Sequence, residues 1–445
     1  MTTADAAILF SGGFDADAAA CGRAWAADAA ELAKLPAKPR RSAPEAAAAA
    51  AVLARGRGLR ERFLRAHARA LYDRLTAGMT RHVRVDALAY AAADLVPGLV
   101  PTRAQVAAES ALPQLDKEGA EIDQGLLLAH ILAAPDSGRH LCHAMLLPRP
   151  DSAEHLARLR HDGAVDLPTA RLRREGRAVV VEMHHPRFLN AEDEDTIDDL
   201  EIAVDLAIMD EASPVAVLRG GHVTHPKYAG RRVFSAGINL THLYHGRISF
   251  LWYIRRDMGP LHKMLRGLAS PDAPPDDPRA PTREKPWIAA VDTFAIGGGC
   301  QILLVMDYVL AARGAFMTLP ARKEGIIPGA ANLRLPRFTG DRIARQLISK
   351  GRGLECDSPE GRLICDEIAA PEDMDAALAA VVEDLTTSGA VSLVGNRRAL
   401  RVGAEPLDTF REYMAVYARE QATCHFSPQL IANLERNWRA NERRA

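Results

Sequence analysis

Three glycines in a row, Gly297 to Gly299, constrain this chain more than any other feature. They open a run that reads AIGGGCQILLVMDYVLAARGAFMTLPARKEGIIPG from Ala295 to Gly329, an apolar helix followed by a strand, a proline and a Pro-Gly turn. Glycine lets the main chain turn sharply out of a strand. A helix that starts at Gly298 or Gly299 leaves unpaired N–H groups with the positive end of the helix dipole behind them. Upstream, FSAGINL (Phe234 to Leu240) brings a second N–H, at Ile238, to face the same point. Two such donors stabilise an oxygen that turns negative as a thioester becomes an enolate. Three glycines alone also build an ordinary strand-to-helix turn, so the weight lies on the pair of segments. A dinucleotide site is excluded because the spacing is not G-x-G-x-x-G.

Together these segments resemble the crotonase (enoyl-CoA hydratase/isomerase) superfamily, and the likeness continues through Arg337 to Val381. The resemblance implies an α/β fold: a crotonase-like ββα spiral core over residues 177–385, an N-terminal all-helical domain over 1–176, and C-terminal helices over 386–445. It implies an oxyanion hole built from the N–H groups of Ile238 and Gly298. Hydratases of this family carry one glutamate three residues after the middle glycine and another directly after the proline that precedes the Pro-Gly turn. Here those positions hold Gln301 and Ala321. Neither exchanges a proton at neutral pH, so hydration by a paired acid and base is not expected.

A cofactor-independent dioxygenase branch of the superfamily, acting on a dihydroxyphenylacetyl-CoA thioester, fits this departure. The segments that carry the closer likeness are RFLNAEDE (Arg187 to Glu194), HPKYAGRRVFSAGINL (His225 to Leu240), the IRRDMG turn (Ile254 to Gly259) and Gln301, with the long helical N-terminal extension. The resemblance implies that Arg187, Glu192, Arg256 and Gln301 orient the ring, with Glu194 competing for the place of Glu192 and Arg255 for that of Arg256. It implies that His225, Pro226, Lys227 and Tyr228 hold coenzyme A, basic groups facing its phosphates. Ala236, Gly237 and Gly299 shape the hole, and Ile326 and Ile327 wall a dry pocket for O2. Each of these has a plainer reading: a helix start rich in acids, a solvated strand end, ordinary core.

Composition bounds the alternatives. At 445 residues and 48% apolar content the chain is long enough for two or three units with large cores. Its 56 Lys and Arg nearly balance 57 Asp and Glu, which argues against nucleic acid or an acidic membrane surface as partner. Six scattered cysteines without a C-x-x-C pair fit reduced thiols and a cytoplasmic location. The close histidine pairs, His140/His143, His184/His185 and His222/His225, lie in no H-E-x-x-H or zinc spacing, so no metal and no cofactor is expected; acyl-CoA and O2 enter as substrates.

The first 175 or so residues read as Ala-rich helices, most clearly Glu45 to Ala77 with Pro44 at its start and Gly78 at its end. Its arginines, Arg55 to Arg74, fit a solvated face better than a nucleic-acid site. Ala178 to Met183, Pro214 to Gly220 and Trp287 to Val291 read as buried strands, and Ser270 to Lys285 as a Pro- and Asp-rich loop. In the last segment Leu430, Leu434 and Trp438 recur every four residues. The resemblance implies a homo-oligomer, trimer or hexamer, in which such helices cover a neighbour's site; packing on the chain's own core fits the spacing equally. Two other functions stay open: thioester hydrolysis or isomerisation with Glu192, Glu194 or Glu324 as base, and an acyl-CoA-binding protein without turnover.

Overall fold

A computed structural model describes residues 8–443; 1–7 and 444–445 lie outside it. Two hydrophobic cores organise the chain. One surrounds a seven-stranded sheet in the order β1-β2-β3-β4-β5-β7-β10: β1 Ala164–Asp166, β2 Ala170–Glu175, β3 Ala178–Met183, β4 Val215–Gly220, β5 Trp287–Val291, β7 Tyr308–Ala312 and β10 Glu367–Ala369. The first two pairings are antiparallel, and from β3 onward all are parallel, with Val181 beside Leu218 and Ala289 beside Val309. Every residue of β4 and β5 is buried, as parallel strands covered on both faces require. A smaller sheet joins β6 Phe294–Ile296, β8 Phe316–Thr318 and β9 Gly353–Glu355 in the order β6-β8-β9.

The sheet takes in β1 and β2, upstream of the expected boundary at 176/177. They form an edge of the sheet, and a turn at Gly176 with φ +56° joins β2 to β3. Their outward arginines are held by acids, Arg173 by Asp166 at 2.6 Å and Arg174 by Asp210 at 2.6 Å.

The second core is helical and draws on three distant parts of the sequence. N-terminal helices Ala43–Leu75, Val85–Leu95, Ile122–Ala133 and Pro135–Leu146 pack with the central helix Phe250–Met258 and with the C-terminal helices Leu407–His425 and Pro428–Trp438. The longest of these starts where Ser42 N–H donates to Glu45 Oε2 at 2.8 Å, a capping box with Pro44 behind it. Its arginines are occupied within the chain: Arg55 by Asp28 and Glu31, Arg69 by Asp73 and Asp136, Arg74 by Asp15. Leu430 and Leu434 are fully buried in this same core, so the last helix packs on its own chain. Among the described residues no single helix is long and apolar enough to cross a membrane.

Candidate active site

β6 runs into Gly297, whose φ of +51° and ψ of −112° turn the chain into the helix Gly298–Leu303. FSAGINL lies alongside: Ile296 N–H donates to Ser235 O at 2.9 Å, and Asn239 N–H to Glu192 O at 2.8 Å. Gly237 sits between the two segments with φ +79°. A Cβ there would stand 2.6 Å from Ile296 O and 2.8 Å from Gly298 N, so only glycine permits this approach. Among the described residues, neither Ile238 N–H nor Gly298 N–H has an acceptor, and both residues line one cavity. These are the two donors the sequence places in the hole. Gly299 packs on Ser235, with a Cβ position 2.8 Å from Ser235 O, and Ala236 N–H donates to Leu189 O at 3.1 Å. Neither lines the cavity.

Arg256, Gln301, Ala321, Ile326 and Ile327 line the same cavity. Arg256 Nη1 donates to Gln301 Oε1 at 2.8 Å and its Nη2 to Gly298 O at 2.9 Å, while Nε and Nη2 hold Glu192. Burial opposes the Arg256 charge, but Glu192 outweighs it and holds the guanidinium above its ordinary range. A Cβ on Gly298 would meet Arg256 Nη2 and Glu192 Oε2, each at 2.9 Å, so this glycine also makes room for the ion pair.

The structure separates the competing neighbours. Arg255 turns away to Glu194 and Asp198, and Glu194 accepts from Ser249 N–H at 3.0 Å; Arg256 faces the cavity and Glu192 is bonded to it. Glu192 acts there through Arg256 and lies behind it, outside the cavity wall. Arg187 does not line the cavity. It is exposed on the turn Pro186–Phe188, its guanidinium 5.0 Å from the Phe188 ring, because that turn is bonded to Thr224 N–H and so joins the His225 surface. On that surface Pro226, Lys227 and Tyr228 form one short turn, with His225 Nδ1 capping it and the Lys227 ammonium 5.0 Å from the Tyr228 ring. Pro226 and Lys227 are exposed.

The IRRDMG segment is also corrected: Ile254 to Met258 ends a helix, Phe250–Met258, which Ser249 caps and which stops at Gly259. Helical spacing from Arg256 therefore brings Trp252 and Tyr253 to the cavity wall, two residues the sequence reading missed and that this spacing would have found. Asp257 is held by Arg256 Nη1 at 3.2 Å and lies against Gly329, where a Cβ would come 1.8 Å from its Oδ2. Tyr417 arrives from the C-terminal helix, and no local signal marks it. Glu324 completes the wall; burial alone pushes its carboxyl up to about 7.

Away from the cavity, Asp193, Asp195 and His242 come together closely enough for a cation. Their arrangement is accounted for without one, since Asp193 holds His242 at 2.9 Å and accepts from Asn239 Nδ2 at 2.8 Å.

Two backbone N–H groups unpaired among the described residues, one on a glycine turn and one on the FSAGINL segment, facing one cavity in an α/β core, point to the class. Residues 276–419 match the enoyl-CoA hydratase/isomerase family, and the chain belongs to that crotonase superfamily. The more particular likeness is to the (3,5-dihydroxyphenyl)acetyl-CoA 1,2-dioxygenase of Amycolatopsis orientalis, 46% identical over 401 residues that span 90% of this chain and 91% of that one. A short-chain-enoyl-CoA hydratase of Clostridium acetobutylicum is 24% identical over 242 residues, 54% of this chain and 84% of the other. The crystal structure of an enoyl-CoA hydratase/isomerase from Mycobacterium paratuberculosis superposes with TM-score 0.50 at 17% identity, covering 61% of this chain and 100% of that one, a likeness of fold.

Proposed function

We propose that the protein is a dioxygenase that converts (3,5-dihydroxyphenyl)acetyl-CoA and O2 into (3,5-dihydroxyphenyl)glyoxylate and coenzyme A, without metal or organic cofactor. The observation that carries this reading is a pair of backbone N–H groups unpaired among the described residues, at Ile238 and Gly298, on one cavity wall with Gln301 and Ala321, which stand where hydratases carry their acid and base. The 46% identity to a protein named for this reaction supports it.

The thioester oxygen accepts from Ile238 N–H and Gly298 N–H, which lowers the cost of removing a proton from a methylene already acidified by ring and thioester. Arg256 holds the Gln301 amide oxygen, so its Nε2–H2 is left to donate to the ring hydroxyls, and Glu192 keeps Arg256 in place. Ile326 and Ile327 keep water from the enolate. The enolate reduces O2 and bonds to it at the α-carbon. The resulting peroxide attacks the thioester carbonyl and expels the thiolate. Loss of the second α-proton with cleavage of the O–O bond leaves a keto group and a carboxylate. Two α-protons leave, one with coenzyme A and one to solvent, so atoms and electrons balance.

Lys227 and Tyr228 meet coenzyme A at the exposed rim, and the protein works in the cytoplasm as a trimer or hexamer. The location rests on six cysteines scattered in the sequence without a C-x-x-C pair. Oxygen uptake on this thioester after exhaustive chelation tests the function: turnover at the untreated rate is expected, and activity that tracks stoichiometric iron, copper or manganese contradicts it.

A further inference from the structure

The hole receives the charge of the enolate, but the group that receives the α-proton is still to be assigned. Ala321 and Glu324 are the first and last residues of one short helix, Ala321–Glu324, so their side chains share a face one turn apart. Both line the cavity. Ala321 contributes only a methyl where hydratases carry a glutamate, and Glu324 reaches the same wall from the next turn.

The environment of Glu324 is unlike that of the other buried acids. Glu192 has Arg256, Glu201 and Asp205 share Lys263, Glu284 has Arg397 and Arg401, Glu405 has Arg334, and Glu121, which has no ion pair among the described residues, accepts from Phe250 N–H at 2.7 Å. The Glu324 carboxyl, 4% exposed, takes part in no hydrogen bond or ion pair among the described residues. A buried carboxyl without a partner is costly to a fold, and a catalytic task is a common reason to keep one.

The titratable groups around the cavity do not compete for the role. Burial pushes the Tyr253 and Tyr417 phenols well above their ordinary range, so both stay protonated. Asp257 is bonded to Arg256 and packed on Gly329, and Arg256 is a permanent cation. His425, behind Tyr253, is held down to about 3 by burial and by Lys117, which makes it a weak base.

We propose that Glu324 is the general base that removes the α-proton of the thioester. This rests on the enolate reading of the site given above. The C–H bond breaks, its electron pair passes into the enolate held by Ile238 and Gly298, and the proton goes to a Glu324 carboxylate oxygen. That proton then leaves with the expelled coenzyme A thiolate as a thiol. The regenerated carboxylate takes the second α-proton as the O–O bond breaks, with O2 as the oxidant.

The test is α-hydrogen exchange from (3,5-dihydroxyphenyl)acetyl-CoA into D2O under argon, where oxygenation cannot proceed. In Glu324→Gln, exchange should slow by about 10²- to 10⁴-fold, the usual contribution of a general base, while a thioether analogue of the substrate binds within about twofold of wild type. Exchange at the wild-type rate in the folded variant overturns the assignment. Wild-type protein gives a second readout that needs no variant: exchange should rise with pH along a limb centred near 7. A flat profile from about pH 5 to 9 overturns the assignment on its own. If exchange depends on Glu324 but wild type takes up no O2, the base assignment is supported and the dioxygenase reading falls instead.

Discussion

Arg256 Nη1 donates to Gln301 Oε1 at 2.8 Å, and this bond fixes which way the Gln301 amide faces. Arginine has no acceptor, so the oxygen must be toward it and the Nε2–H2 toward the cavity. Gln301→Glu replaces that donor with a charge beside the developing enolate. Its kcat for O2 uptake should fall by about 10²-fold, the cost of a misplaced ring together with a charge that opposes the enolate. Uptake at the wild-type kcat in steady-state measurements would place Gln301 away from the reacting atoms.

Gly237 makes a sharper test of the hole. In Gly237→Ala the new methyl meets Ile296 O and Gly298 N in a backbone conformation that alanine adopts only with strain. Moving Gly298 N–H misaligns one of the two donors, so kcat should drop on the order of 10²- to 10³-fold, with a smaller change in KM. An unchanged kcat in the folded variant would show that these N–H groups do not form the hole.

The glycine turn and the cavity positions of Gly298, Gln301, Ala321, Ile326 and Ile327 were legible because they fall within one run, Ala295 to Gly329, and Ile238 because the FSAGINL segment pairs with that run. Arg255 and Arg256 were not separable, since adjacent helix residues point about 100° apart and only the packing of Phe250–Met258 decides which faces inward. Arg187 was grouped with Glu192 because the resemblance carries both in RFLNAEDE, yet the turn at Pro186–Phe188 leaves its side chain exposed. β1 and β2 escaped notice because an edge hairpin rich in arginine offers little apolar alternation. Tyr417 reaches the cavity through tertiary packing of a helix far along the chain, for which no local pattern exists.

Ile326 and Ile327 lie on the cavity wall, the latter held by its N–H to Gln421 Oε1 at 2.8 Å. Threonine at either position keeps the branched shape and adds a hydroxyl that draws in water. Exchange of the α-hydrogen with solvent should persist while O2 consumption falls, as the enolate is reprotonated. Equal losses of both in a folded variant would mean that the residue supports enolisation and not a dry O2 pocket.

Glu324 also predicts a stability signature. Its carboxyl ionises near 4.5 when free and near 7 when buried in the fold, so the folded state favours the protonated form. The protein should therefore lose stability from this group as pH rises from about 4.5 through 7, and Glu324→Gln should relieve that loss. The advantage of the variant in urea unfolding should be larger at pH 8 than at pH 5 by up to about 3 kcal/mol. An advantage independent of pH would mean that the carboxyl is paired or solvated in the native protein.

The central claim is that O2 attacks an enolate held in the hole and that both of its atoms stay in the product. Turnover of (3,5-dihydroxyphenyl)acetyl-CoA under ¹⁸O2, followed promptly by mass analysis of the acid released, tests it most directly. The account predicts an arylglyoxylate carrying two heavy oxygens, one in the keto group and one in the carboxylate, with free coenzyme A in equal amount. An unlabelled arylacetate, or a product with its new oxygen from water, would contradict it and leave thioester hydrolysis as the reaction of this site.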